Sequence, residues 1–178
     1  LNLPTTRSEL MAVKSLIETV TVGAGGAASI EFTAIPQDGS DLVLLFSLRN
    51  GTATNFSAFV KVNGSSTGYP NKVLYGSGST VGSYSNATTD GWESVHAGND
   101  MTANTFGNGS AYLSNYTSSA YKSGSVDSVG ENNASNAYQM LTAGSWSNTS
   151  PITQVSLVMV VGNLAEYSTA SLYKIKYD

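Results

Sequence analysis

The sequence predicts an all-β protein: an antiparallel β-sandwich, jelly-roll-like, with a short N-terminal arm. Three observations predict it. First, 78 of the 178 residues are Asn, Gly, Ser or Thr, types that favour turns and sheet surfaces because they are poor helix formers or compete for backbone hydrogen bonds. Second, apolar residues recur at every other position in several short runs, the period of a half-buried strand. Third, clusters of Gly, Asn and Ser separate those runs at the spacing of turns. With 40% hydrophobic residues and a net charge of only -4, the chain has enough apolar surface to fold and too little charge to stay disordered.

Taken in order, residues 1–14 read as an arm or short helix, Thr6 and Glu9 having capping-box spacing. Residues 15–178 read as a single sandwich domain, a length that supports one self-sufficient core. A first strand is expected near 15–22. GAGGAA at 23–28 loosely matches a dinucleotide fingerprint, but the alternating SIEFTAI that follows is no helix, so a hairpin turn is expected. Ile30 and Phe32 alternate with Ser29, Glu31 and Thr33. Pro36 and Asp38-Gly39 form a tight turn that places Asp41 at the mouth of the next strand, with charge at strand ends where water is available.

From Asp41 to Arg49, Leu42, Leu44, Phe46 and Leu48 fill one face while Val43 and Leu45 begin the other. Phe56, Ala58, Val60 and Val62 alternate with polar neighbours. Gln154 to Gly162 is again two-faced, with Val155, Leu157, Met159 and Val161 against Val158 and Val160. A sandwich normally leaves one face of each sheet wet, so the outer face of these two strands is expected to meet a loop, the N-terminal segment or another subunit, the last being favoured. Further strands are expected near 71–75, 111–116, 120–126, 137–142 and 168–177, for eight to ten in all. Between Asn63 and Ser150 apolar residues thin out, and GSGSTVGSYSNATTDG reads as long loop.

The same composition narrows function. Eight Lys and Arg residues, scattered through an acidic chain, do not make a phosphate-binding surface, so nucleic acid is not an expected partner. No apolar run approaches the roughly 18 residues that span a bilayer, so membrane insertion is not expected. There is no cysteine, hence no disulfide framework or thiolate metal site. GSSTG at 64–68 has the nucleophile-elbow pattern, but Tyr69-Pro70 follows where a helix should begin, so it reads as polar loop. His96 is the sole histidine, in GWESVHAGND, and no serine partner is identifiable for it. Asp38/Asp41 and Asp90/Glu93 follow no calcium-loop pattern and read as turn and cap residues.

No cofactor and no enzymatic activity are therefore expected. Tyr69, Tyr84, Trp92, Tyr121 and Trp146 lie in polar segments and are the candidates for glycan or receptor contact, since flat amphipathic rings beside amides suit sugar stacking. Eight Asn-x-Ser/Thr sequons, including those at Asn50 and Asn63, would matter only where glycosylation occurs.

Two stretches carry a family resemblance. SIEFTAIPQDGSDLVLLFSLRN resembles a recurring pattern of an alternating strand, an F-x-x-I-P corner and D-L-V-L entering a second strand. ITQVSLVMVVGNLAEYSTASLYKIKYD resembles the same proteins' I-x-x-I-x-L strand followed by GNF-x-x-GS-x-x-x-LYGI, with Leu164 in place of the Phe and Tyr167-Ser168 in place of the Gly-Ser. The pattern is that of virion proteins of tailed bacteriophages, of the jelly-roll-like head decoration or fibre type. The resemblance implies a non-enzymatic structural protein at the virion surface. Its implied partners are sister subunits, a trimer being favoured, and other virion proteins such as the major capsid protein or a fibre. A tail-fibre-like module that binds a receptor or host surface glycan is the alternative.

Overall fold

The structure is a computed structural model that describes residues 11–54, 57–87, 89–131 and 137–177. Among the described residues twelve strands form: β1 (Ala12–Thr21), β2 (Ser29–Phe32), β3 (Asp41–Leu48), β4 (Ser57–Val62), β5 (Asn71–Ser77), β6 (Thr80–Asn86), β7 (Trp92–Val95), β8 (Gly107–Leu113), β9 (Lys122–Glu131), β10 (Ala137–Trp146), β11 (Val155–Met159) and β12 (Thr169–Tyr177). They make an antiparallel sandwich. One sheet has eight strands in the order β1-β12-β3-β8-β9-β10-β5-β6, and the other four in the order β2-β11-β4-β7. The all-β, antiparallel, two-layer class expected from composition and alternation is the class that forms.

The two chain ends pair strand for strand. β2 lies beside β11 with Ile30 opposite Leu157, and β3 beside β12 with Leu44 opposite Leu172. β1 adds to the far side of β12. The cause is the period-two pattern: Leu42, Leu44, Phe46 and Leu48 of β3 face inward and are buried, as are Val155, Leu157 and Met159 of β11. Burying each such side chain contributes about 1.5–3 kcal/mol, and a one-residue slip would turn every one of them to water.

Several expectations are corrected here. The GAGGAA segment turns the chain, with Gly25 and Gly26 at positive φ, but it makes no hairpin. β1 and β2 belong to different sheets, and the turn is a corner in which a side chain at Gly26 would strike the Leu164 carbonyl at 2.5 Å. β1 begins at Ala12, so the last three residues of the expected arm are strand; the Thr6/Glu9 spacing and Phe56 fall outside the described residues. The charges flanking β3 are not in water either. Asp41 and Arg49 are both buried. Asp41 accepts hydrogen bonds from the Asn115 amide at 2.8 Å and the Tyr112 and Tyr177 hydroxyls at 2.5 and 3.1 Å. The Arg49 guanidinium donates to the carbonyls of Asn99, Met101, Thr102 and Thr105.

The expected long loop at 76–91 is mostly strand. β5 and β6 form a hairpin around Gly78, in register from Asn71/Asn86 to Ser77/Thr80, and β7 starts at Trp92. Across the large sheet the apolar pattern is thin because glycine stands where the sheet meets the aromatics of its neighbours. Gly124 and Gly144 are direct partners on β9 and β10, and a side-chain carbon at either would come within 2.8 or 2.6 Å of the Trp92 indole. Gly109 stands opposite Phe46, whose ring occupies the place of the missing side chain. Large rings thus fill slots that bare backbone provides.

The second faces of β3 and β11 stay partly open. Val43 and Val158 are half-buried and Leu45 is 38% exposed. β11 ends at Met159, which leaves Val160 and Val161 in the exposed segment that follows.

Candidate functional site

The eight-stranded sheet is wider than its partner, and this difference creates a sheltered concavity. β7, the last strand of the small sheet, packs over β9 and β10, so the inner faces of β5 and β6 extend beyond it. Alternation along these strands points Val73 and Tyr75 of β5, Tyr84 of β6 and Tyr138 and Met140 of β10 into the overhang. Val73, Met140 and Val95 make a second small core there, with Tyr84 and Tyr138 packed against it. Between the sheets remains a cleft of about 250 Å3 lined by Ser57, Tyr75, Tyr84, Val95, Tyr138 and Met140. The rings of Tyr75 and Tyr84 lie 5.9 Å apart at a 51° tilt.

One carboxylate anchors the cleft. Glu93 of β7 accepts from the Tyr84 hydroxyl and, at 2.8 Å, from the Asn86 side-chain amide. Burial pushes the Tyr84 hydroxyl pKa upward, and the adjacent Glu93 pushes it further. Tyr84 therefore stays a neutral donor at ordinary pH, and its bond to Glu93 stitches the edges of the two sheets together. Three tyrosine rings around an apolar floor suit stacking on a flat, hydroxyl-bearing ligand. A second groove, of about 330 Å3, crosses the outer face of the large sheet between Tyr112 and Leu74, over Ser110, Ser125 and Ala143, with Lys72 and Asp127 among its lining residues.

The five aromatic residues singled out in the sequence do not form one surface. Tyr69, Trp92 and Trp146 are core residues, which removes them as ligand contacts. Tyr69 meets Trp92 edge to face at 5.6 Å. Its hydroxyl accepts from the Val62 amide at 2.8 Å and donates to the Val62 carbonyl at 3.1 Å, and burial pushes its pKa up to about 12. Tyr84 lies in the cleft, and Tyr121 is 68% exposed just before β9, away from it. Tyr75 and Tyr138 were missed, although the alternation Val73/Tyr75 and Tyr138/Met140 marks both as inward-facing.

Elsewhere, polar groups are engaged structurally. His96 is buried, with Nδ1 2.9 Å from the Ala97 carbonyl, and burial lowers its pKa against the opposing pull of nearby backbone groups. Asp38 pairs with Lys174 at 2.6 Å, apart from Asp41, so that carboxylate pair has separate partners. The Asn50 amide is buried and donates to the Val161 carbonyl. Asn63 accepts from the Thr153 and Gln154 amides. Both sequon side chains serve as loop ties. Among the described residues no group of three or more His, Cys, Asp or Glu side chains is arranged to hold a metal ion. In comparison with known proteins, the chain matches no family model, no curated protein and no solved structure.

Proposed function

We propose that this protein is a non-enzymatic structural component of a phage particle, displayed at the virion surface as a capsid decoration, head fibre or similar element. Its sandwich, jelly-roll-like in this reading, serves cohesion and attachment. The observation that carries the proposal is the outer face of the large sheet, where Leu16, Leu45, Leu74, Val81, Tyr112 and Leu141 are all exposed. So many large side chains on one open sheet face mark a surface that packs against protein. The occupants are sister subunits, with a trimer favoured, and a virion protein such as the major capsid protein or a fibre. The pairing of β2–β3 with β11–β12 supports the reading as well, because it joins the two segments that carry the phage resemblance.

Antibody labelling of purified particles, with mass spectrometry of their proteins, tests this. The proposal expects the chain on intact particles in a fixed ratio to the major capsid protein. Recovery of the chain only as free soluble monomer, absent from particles, would overturn it.

The cleft favours a second reading, a receptor- or carbohydrate-binding module. A glycan array probed with the wild type, Tyr84→Ala and Tyr138→Ala separates the two. A sugar-dependent signal lost in both variants supports binding there, and no signal from the wild type rejects it.

A further inference from the structure

Among the described residues the sandwich has four free strand edges, and three carry features that discourage pairing. β1 is broken by a bulge between Leu16 and Glu18 and bears Lys14 and Glu18. β2 and β7 are four residues long and bear Glu31 and Glu93. β6 has no such guard. Its seven residues, TVGSYSN, contain no charge and no proline, and they pair with β5 in unbroken register.

No described segment pairs with the outer side of β6, so its outward N–H and C=O groups form an open template. Its inward side is fixed, because Tyr84 and Asn86 both bind Glu93, which holds the edge against β7. On the outward face Val81 is 85% exposed, and it borders an open groove shared with Leu74 and Leu141.

The geometry points to β6 as the strand through which two copies of this chain join, edge to edge and antiparallel, continuing the eight-stranded sheet across a two-fold axis. The second copy is favoured as occupant by the charge pattern. Run against itself in full register, β6 sets Ser83 opposite Ser83 and Val81 opposite Ser85, and no charge meets a like charge. An acidic or basic peptide would find no complementary charge along this strand. The same two-fold brings the Leu74, Val81 and Leu141 patches of both copies onto one continuous face, and an isologous contact closes after two partners. This contact is separate from the three-fold association proposed above; with its two-fold axis perpendicular to the three-fold, the two together close as a dimer of trimers, and without the three-fold it gives a dimer.

Light-scattering mass measurements on the full chain test it, with Ser83→Lys and Val81→Lys each placing new positive charge along the paired edges. Each variant is expected to halve the particle mass while its circular dichroism stays that of the wild type. An unchanged mass in either folded variant would overturn the inference. Should both lysine variants fail to fold, Ser83→Cys in this cysteine-free chain provides an independent readout. A short bis-maleimide is expected to link chains in pairs at dilute concentration, and absence of that link also overturns it. A wild-type mass that is no multiple of three chains counts against the trimer alone and leaves the two-fold halving to be read separately.

Discussion

Trp92 shows how single residues set the stability of this fold. Its indole rests on the paired Gly124 and Gly144, so adding one methyl to either glycine forces ring or backbone to move. Gly144→Ala is expected to destabilise by about 2 kcal/mol through overpacking. Gly76→Ala, at a strand position with open space around it, should change stability far less. Urea midpoints of the two variants make the comparison.

His96 gives a pH dependence with a definite sign. Its folded-state pKa lies below the ordinary 6.5, so below that pH the unfolded chain takes up a proton that the folded one refuses. Stability is fully present above the unfolded pKa and falls as pH drops through it, by up to about 1.4 kcal/mol per pH unit until the folded pKa is reached. Denaturation at pH 7.5 and 5.5 should show the loss in the wild type and a much smaller one in His96→Gln. A wild-type midpoint unchanged between these pH values would contradict the assignment.

At the scale of elements, buried cations organise loops. Arg49 ends β3 and gathers four carbonyls from residues 99–105, which folds the segment between β7 and β8 around a guanidinium. Lys122 does the same at the start of β9, donating to the Ser118 and Ala120 carbonyls from a buried position. Arg49→Met removes those charge-assisted bonds, leaves the carbonyls unpaired and is expected to cost about 3 kcal/mol. Hydrogen exchange should localise the effect, with amides in 99–105 exchanging much faster and those of β11 and β12 changing only through the drop in global stability.

Strands differ in legibility for a related reason. β2, β3, β4 and β11 carry Leu, Ile, Val or Phe at inward positions, so alternation reveals them. β9 turns Lys122, Gly124, Val126, Ser128 and Gly130 inward, and only one of these is a large apolar residue. β6 turns Gly82, Tyr84 and Asn86 inward. A pattern built on apolar periodicity catches only the first half of β9, as the strand expected near 120–126, and passes over β6, because their partners supply the bulk. The cleft was half legible for the same reason: Tyr84 stood out as an aromatic in polar sequence, whereas its grouping with Tyr75 and Tyr138 needed the β10-β5-β6 order.

For the whole molecule, the sheet order makes folding a long-range event. β1 pairs with β12, β2 with β11 and β3 with β12, so closing the sandwich costs loop entropy over most of the chain before those contacts form. Refolding followed by tryptophan fluorescence is expected in milliseconds to seconds, not microseconds. Truncation after Ser168 removes β12 from between β1 and β3, and the shortened chain should lack a cooperative unfolding transition. A truncated chain that unfolds cooperatively near the wild-type midpoint would contradict this dependence on the last strand.

Composition and two-residue alternation were enough to determine the class of this protein, its antiparallel layering and the inward faces of its most apolar strands. Those properties are local, since a side chain's direction in a strand follows from its neighbours along the chain. Tertiary structure decided that Tyr69, Trp92 and Trp146 are core, that Asp41 and Arg49 are buried with partners, and that glycine-rich segments are strands. Each depends on which backbone lies across from which ring or charge, and that is set by pairing between residues far apart in sequence.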